Sequence, residues 1–372
     1  MKIKIYGGPL SISYNLAKFL RRKGIDVIFY SDSSPLDESY RPLWEDGDDK
    51  KGDWIKEVDV KLGNCIIRTS NARSFIKELK TADILHTYGE SSIWASMTGV
   101  PYIYNSYGYD LDQMPFRTDS VRSRILSHLL RRSIRKAKRV IISPHQRDIL
   151  KRLKINIKTD YIPCPIDTDK YKKHPTPLRD DLLNTGQFSY IFFSPTRHEW
   201  SHSHTSNKGN DRVINAFSKF TGKSVKKALL ILVEKGDDLQ KSKDLIKQNG
   251  IEKYVMWIKP CNKEKLIEFY SASDIVFDQF TLGAFGQVFL ESMSCGVPTF
   301  IYLEGYEPFY GEDPPCINVS EEKNIFNKLM ELTQDPASLK DIGERSRDWI
   351  LKYHDWRVSV REYDRMYKSI LG

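Results

Sequence analysis

The densest chemistry in the sequence lies between Asp274 and Thr299, DIVFDQFTLGAFGQVFLESMSCGVPT. A buried strand gives way to a loop holding Gly283 and Gly286. A helix then opens with Glu291 in its first turns, and Cys295-Gly296-Val297-Pro298 stops it before the next strand. Glycines ahead of a helix let backbone N–H groups approach a phosphate, and the helix N-terminus favours its charge. Glu291 can accept hydrogen bonds from a neutral polyol such as a ribose. The same residues also fit a plain strand–loop–helix crossover with Glu291 in solvent. Upstream, Arg197 and Lys208 both follow a core strand and precede a helix, which sets them apart from stray surface cations. Between them lie His198, Glu199, His202 and His204, whose spacing matches no zinc pattern and which no cysteine joins. A flexible loop over a ligand suits them better. Asp237-Asp238 reads as a helix start, where acids offset the macrodipole.

Positioning these residues takes a scaffold, and 372 residues are too many for one ordinary core. Apolar residues at 40% and aromatics at 12% suffice to bury two cores and argue against disorder. Short apolar runs alternate with longer amphipathic stretches, the βαβ pattern of parallel sheets. Strands are expected near Lys2–Tyr6, Asp26–Tyr30, Asn64–Thr69, Asp83–Thr87, Pro101–Asn105, Arg139–Ser143 and Thr159–Ile162. A second series lies near Tyr190–Ser194, Ala228–Val233, Tyr254–Ile258, Asp274–Asp278 and Thr299–Tyr302. Helices fill the gaps, Val288–Cys295 among them, and the acid-rich stretch from Ser31 to Lys61 reads as an irregular insertion. Two doubly wound halves joined by a short linker near 165–188 are expected to face a cleft, with ligands at the carboxyl ends of the strands.

Lys2-Ile3-Lys4-Ile5-Tyr6 alternates like a strand, so no signal peptide is expected here. No apolar run approaches the roughly 18–20 residues of a membrane span. Five cysteines (Cys65, Cys164, Cys261, Cys295 and Cys316), odd in number and never spaced as CxxC, suit reduced thiols in a cytosol. A net charge of +9 implies an anionic partner without choosing among nucleic acid, anionic lipid and a phosphorylated substrate.

Phe285-Gly286-x-x-x-Leu290-Glu291-Ser-Met-Ser-Cys-Gly-Val-Pro298 resembles the FG-x-x-x-LEAMACGxPV hallmark of the retaining glycosyltransferases of family 4. Their α/β fold is GT-B, two Rossmann-like doubly wound domains facing a central cleft, and the resemblance extends over nearly the whole chain. Ser194-Pro-Thr-Arg197 with Asn207-Lys208-Gly209 resembles the family's GR…KG element, whose cations clamp the donor diphosphate as charge builds on the leaving phosphate. A planar Arg fork and a Lys point charge suit two phosphates. Glu291 matches the acid that holds the donor ribose. The family's other acid, which contacts the donor sugar, falls on Gly283, so this chain lacks it. Asp278 and Gln279 resemble a DQ variant that could stand in. The resemblance further implies that Gly283, Phe285, Gly286, Gln287 and Val288 belong to the donor site, with the backbone around Gly286 and Gln287 supporting the phosphates, and that Lys259 and Pro260 lie near the nucleobase. Ile162–Asp169 resembles the IPNGVD linker. Its Asp167 and Asp169 are not read as a metal pair, because enzymes of this fold neutralise the leaving group with side chains and helix ends. Gly7-Gly8 resembles the glycine loop that meets the diphosphate, with Gly8 as the contact, and a pair of turn glycines is the plainer alternative. Pro101–Asp110 resembles the family's strand ending in HG-x-D, with Tyr107 in the histidine's place. His86 reads as a satisfied core-edge histidine.

Val121–Arg139 is basic throughout (Arg122, Arg124, Arg131, Arg132, Arg135, Lys136, Lys138, Arg139), with an apolar stripe of Val121, Ile125, Leu126, Leu129, Leu130 and Ile134. It fits first a core helix with a solvated basic face, and as the sharper alternative a helix that docks on anionic membrane. Nucleic acid is not expected, since no stacking aromatics or recognised module accompany it. The family implies an acceptor domain over 1–168, a nucleotide-sugar domain over 185–352 and a final helix, 353–372, crossing back to the first. The expected reaction moves a hexose from a UDP- or GDP-sugar to a glycan or a polyprenyl- or other lipid-linked acceptor, with retention. Arg197, Lys208 and Tyr107 are the catalytic candidates, no metal or other cofactor is expected, and the expected location is cytoplasmic or the cytoplasmic membrane face. Two rivals stand: a nucleotide-sugar epimerase of the same fold, and a non-catalytic membrane or nucleic-acid adaptor.

Overall fold

Parallel strands covered on both faces read as unbroken apolar runs, and the second half of the chain shows this plainly: Tyr190–Ser194 and Ala228–Val233 are buried at every position. A computed structural model describes residues 1–8, 10–33, 45, 52–61, 69–186, 188–201 and 207–372. It divides into two units, one formed by Met1–Pro165 with Trp356–Gly372, the other by Ile166–Asp355.

Among the described residues, the first unit holds seven parallel strands in the order β3-β2-β1-β4-β5-β6-β7. They are β1 (Lys2–Tyr6), β2 (Asp26–Asp32), β3 (Ile55–Val58), β4 (Ile84–Tyr88), β5 (Tyr102–Asn105), β6 (Arg139–Ile141) and β7 (Thr159–Asp160). β3 corrects the expectation of an irregular insertion, since Ile55–Val58 pairs in register with Phe29–Asp32. An edge strand needs only one covered side, so Ile55 and the preceding Trp54 pack on the core while Lys56 and Glu57 stay exposed. The strand expected near Asn64–Thr69 falls almost entirely outside the described residues.

Helix α1 (Leu10–Arg22) covers this sheet, and α2 (Val121–Lys136) starts from a capping box between Ser120 and Ser123. Leu130 and Ile134 of α2 are buried, and Leu126 and Leu129 pack on the core. Val121 and Ile125 remain 72% and 39% exposed. The apolar stripe is thus core-facing at its carboxyl end and open to solvent at its start.

The second unit orders its six parallel strands β10-β9-β8-β11-β12-β13. They are β8 (Tyr190–Ser194), β9 (Ala228–Val233), β10 (Val255–Ile258), β11 (Ile275–Phe277), β12 (Thr299–Ile301) and β13 (Ile317–Asn318). The two-residue β13 is too short to leave a pattern in the sequence. Its helices include α3 (Asn210–Lys223), α4 (Leu239–Gln248), α5 (Lys263–Ala272), α6 (Gln287–Ser294) and α7 (Pro336–Tyr353). The last helix, α8 (Trp356–Leu371), belongs to the first unit and packs on α1. There Tyr367 OH lies 2.7 Å from Nδ1 of the buried His86, whose pKa burial drives down to about 3. Among the described residues, Cys164, Cys261, Cys295 and Cys316 are free, and no helix is long and apolar enough to cross a membrane.

Helix α6 is fixed from behind by α7. At Gly343 the two backbones come so close that an added Cβ would collide with Gly296 O and lie 3.5 Å from Pro298 Cδ. Inside a helix, Gly→Ala ordinarily stabilises by about 0.5–1 kcal/mol. Gly343→Ala is expected to do the reverse and cost about 1–3 kcal/mol through overpacking. Urea unfolding reads the difference, and an unchanged or raised midpoint would refute the close approach.

Candidate functional site

The strand order of the second sheet reverses between β8 and β11, and open parallel sheets bind ligands beyond the strand ends at such a point. Arg197 follows β8 and Asp278 follows β11, neighbours in register through Phe192–Ile275 and Phe193–Val276. Lys208 joins them from the turn before α3. Its ammonium donates to Gln279 Oε1 at 2.9 Å, its backbone N–H donates to Glu199 O at 2.6 Å, and its carbonyl accepts from Phe280 N–H at 3.1 Å. Burial pulls Lys208 below an ordinary lysine, although the Asp278 charge opposes the shift. Arg197 Nε pairs with Glu199 Oε1 at 2.7 Å and keeps its side chain 44% exposed.

Asp278 is buried, and burial raises its carboxyl to about 6 against the pull of Lys208 and of the Gly286 and Phe289 N–H groups that donate to it. Its Oδ2 has no hydrogen-bond partner among the described residues. The loop beyond is tied down along its length. Arg212 Nη1 donates to Phe280 O at 2.8 Å, Thr281 Oγ1 donates to Asn207 O, and Gln279 Nε2 closes the loop on Ala284 O. Tyr302 N–H reaches Gln279 O at 2.9 Å, and Glu304 N–H reaches Gly283 O at 3.0 Å. The loop delivers Gly286 as the N-cap of α6, so that Gln287 and Val288 form the opening of the helix. Two cations and a helix N-terminus therefore converge on one strand end, a setting suited to a phosphate or diphosphate.

Glu291 is buried in α6, which excludes the solvated alternative. Lys263 Nζ lies 2.5 Å from its Oε1, and Tyr270 OH donates to Oε2 at 3.0 Å. Phe285 is engaged in aromatic packing, stacked at 4.5 Å on Tyr306 and 5.0 Å on Phe289 and edge-on to His354. Lys259 follows β10 at the sheet edge with exposed Pro260 beside it, and pairs with Glu234, which Lys243 also holds at 2.6 Å. Glu199, Lys263 and Tyr270 were not legible as site residues, because each acquires its part only through a partner distant in sequence.

The segment after Arg197 is anchored. His198 is buried with Nδ1 2.8 Å from Ser242 Oγ, and burial takes its pKa down to about 4. Asp238 makes no side-chain cap on its own helix. Its carboxylate instead accepts from Trp200 N–H and Ser201 N–H at 2.8 Å each and from Ser201 Oγ at 2.6 Å. His202 and His204 lie outside the described residues. Among the described ones, no group of three or more His, Cys, Asp or Glu could hold a metal ion.

In the first unit the order reverses between β1 and β4. Gly8, after β1, lies against Tyr88 at the end of β4. Tyr107, after β5, donates its hydroxyl to Glu90 Oε2 at 2.8 Å and its N–H to Asp110 Oδ1 at 2.9 Å. Asp110 is buried under Tyr104 OH and Ser106 Oγ, and burial raises its carboxyl to about 7. The Tyr107 hydroxyl is thus committed to Glu90, which the sequence did not single out.

Two doubly wound parallel sheets, each with polar residues gathered where its strand order reverses, are the GT-B architecture of glycosyltransferases. Residues 6–170 match the family model described as Glycosyltransferase Family 4, and residues 201–349 match Glycosyl transferases group 1. The chain belongs to the group 1, family 4 glycosyltransferases. An uncharacterized glycosyltransferase of Methanocaldococcus jannaschii is 25% identical over 175 residues, 44% of this chain and 43% of that protein. N-acetyl-alpha-D-glucosaminyl L-malate synthase of Bacillus anthracis is 25% identical over 162 residues, 43% of this chain and 42% of that one. These matches span less than half the length of either relative. Anabaena HepE, solved in complex with UDP and glucose, superposes with a TM-score of 0.74 at 15% identity, covering 99% of this chain and 100% of its own. Sucrose-phosphate synthase from Thermosynechococcus elongatus gives 0.70 at 14%, covering 100% and 99%. At such identities the likeness is one of fold.

Asp278 gives the site a pH signature. Its carboxyl stands at about 6 when folded, against an ordinary value of 3.8. Folding therefore favours the protonated form, a contribution fully present below the unfolded value and lost as pH rises through the folded one. Asp278→Asn removes the titration, so wild type should lose about 1–3 kcal/mol relative to the variant between pH 4 and 7. Urea unfolding at both pH values measures it, and a difference independent of pH contradicts the assignment.

Proposed function

We propose that the protein moves a hexose from a UDP- or GDP-linked sugar to a hydroxyl of a glycan or lipid-linked acceptor, with retention at the anomeric carbon and without a metal or other cofactor. The observation that carries this reading is the convergence of Lys208, Arg197 and the start of α6 at the end of β8 and β11. Lys208 acts as a point charge, Arg197 as a planar fork, and the Gln287–Val288 backbone as the helix end for the second phosphate. As the glycosidic bond breaks, charge grows on the leaving diphosphate, and these groups stabilise it. The acceptor oxygen bonds to the anomeric carbon on the face the diphosphate leaves. The bonding pair stays with the departing phosphate oxygen, which takes the acceptor's proton, so no side-chain base is required. Glu291, oriented by Lys263 and Tyr270, serves the ribose hydroxyls.

Family membership supports the transferase reading, and the UDP and glucose held by the Anabaena structure favour a sugar nucleotide of that class. Exposed Val121 and Ile125 among Arg122, Arg124, Arg132 and Lys136 support attachment of the first unit to an anionic membrane, where each basic residue contributes about 1 kcal/mol. A lipid-linked acceptor is then within reach on the cytoplasmic face. An epimerase of the same fold would alter the donor with no acceptor present, and product analysis separates the two.

A thermal-shift screen of nucleotide sugars tests the donor class, since a ligand at 100 times its Kd stabilises by about 2.7 kcal/mol. In calorimetric titrations with UDP and GDP, Lys208→Met and Arg197→Ala should each weaken the bound diphosphate about tenfold to a hundredfold, as expected for a lost charge-assisted hydrogen bond. Variants that bind as tightly as wild type, or a wild type that binds neither nucleotide, would sink the reading.

A further inference from the structure

Beside the loop leading into α6 stands a carboxylate with no task yet. Gly283 has a left-handed φ of +65° and no side chain, and a Cβ placed on it would lie 3.2 Å from Glu304 Cβ and 3.5 Å from Glu304 Oε2. Glu304 sits in the segment after β12 that runs along this loop, bonded to it through Tyr302 N–H to Gln279 O and Glu304 N–H to Gly283 O. The residue is exposed, and Tyr302 OH orients its carboxylate by donating to Oε2 at 2.9 Å. Other polar side chains of the loop are engaged: Gln279 by Lys208 and Ala284 O, and Thr281 by Asn207 O. Asp278 lies buried below, turned to the N–H groups of Gly286 and Phe289. Glu304 is thus an oriented acid on the solvent side of the same loop.

We propose that Glu304 is the specificity-determining residue for the donor sugar. It accepts hydrogen bonds from hydroxyl groups of the transferred sugar beside Gly283, whose missing side chain leaves room for the Glu304 side chain, and so restricts the donor to uncharged sugars. This rests on the reading that Lys208, Arg197 and the start of α6 hold the diphosphate. The sugar is bonded directly to the outer phosphate, and residues 283–286 are the chain leading into that helix start, so the sugar and Glu304 share one neighbourhood. Ring hydroxyls donate, and a carboxylate offers two acceptor oxygens and no donor, a match for a pair of adjacent hydroxyls. Bonds to an ionised acceptor are stronger than neutral ones. A uronate would set a second negative charge against Glu304, whose carboxylate is held by Tyr302 OH and pairs with no cation among the described residues.

The test uses the full chain with Glu304→Gln and Glu304→Ala, titrated with UDP and GDP, with UDP-glucose and GDP-mannose as neutral conjugates, and with UDP-glucuronate. Because the side chain is exposed, both variants should keep the melting temperature and hold the bare nucleoside diphosphate within about twofold of wild type. The neutral conjugate that wild type binds should weaken about tenfold or more, and the gap between hexose and hexuronate conjugates should narrow. If wild type binds a nucleoside diphosphate and the variants treat the sugar conjugates as wild type does, this inference alone falls. Variants that lose the bare nucleoside diphosphate also overturn it, because Glu304 would then act on the loop and not on the sugar. A wild type that binds no nucleoside diphosphate removes the underlying function together with it.

Discussion

The ammonium of Lys208 is the group on which the rest of the second unit's site depends. Withdrawing it from water disfavours its charge, and Gln279 Oε1 at 2.9 Å with the nearby carboxylates of Asp278 and Glu199 offset that cost. The same residue fixes the backbone around it, accepting from Phe280 N–H and donating to Glu199 O. Arg212 holds Phe280 O in turn, so the position of one cation is coupled to the course of the loop as far as Gly283. Donors fixed before an anion arrives need not reorganise around it, which is the source of electrostatic stabilisation in a protein site.

Eight residues of helix are marginal by themselves, and α6 stands because both its ends and its middle are held. At its carboxyl end, Arg347 Nη1 donates to Ser294 O at 2.7 Å and Ser294 Oγ at 2.8 Å, while the same guanidinium reaches Tyr171 O and Thr168 O. A cation there also meets the negative end of the helix dipole. In the middle, Glu291 is fixed by Lys263 and Tyr270. Opposite charges thus brace the helix from behind, leaving its positive end directed at the strand termini. The Gly296–Gly343 approach sets how closely α7 can press on it.

Strands buried on both faces were legible to the residue, as for Tyr190–Ser194 and Ala228–Val233, because each is a continuous apolar run. The short strands Ile55–Val58 and Ile317–Asn318 at the sheet edges were not, since an edge imposes no such run. Motif spacing placed Arg197, Lys208 and the 283–291 segment on one strand-end neighbourhood, because their partners are local or lie on the adjacent strand. It did not reveal that Glu291 is buried against Lys263, that Phe285 packs on Tyr306, or that Asp238 grips Trp200 and Ser201. Those facts depend on contacts between segments far apart in the chain, where residue type constrains little. Glu304 is the sharpest case. The family resemblance implies an acid at position 283, where this chain has glycine, and only coordinates show another acid beside it.

Asp278 stands at the opening of α6, where an acid looks opposed to anion binding. Its environment resolves the conflict. Burial already resists its charge and holds the carboxyl at about 6, and Lys208 and two backbone N–H groups keep it from rising further. A phosphate lodged beside Lys208 would add negative charge nearby and draw on the same cation, and both effects favour the protonated acid. Taking up a proton removes the repulsion between Asp278 and the ligand, while Glu199 stays paired with Arg197. Without an anion, the ionised acid helps hold Lys208 charged where burial would otherwise neutralise it. One buried carboxylate thus counters the lysine in the empty site and, under the proposed donor reading, would give up its charge to an entering anion, so an acid is compatible with this position.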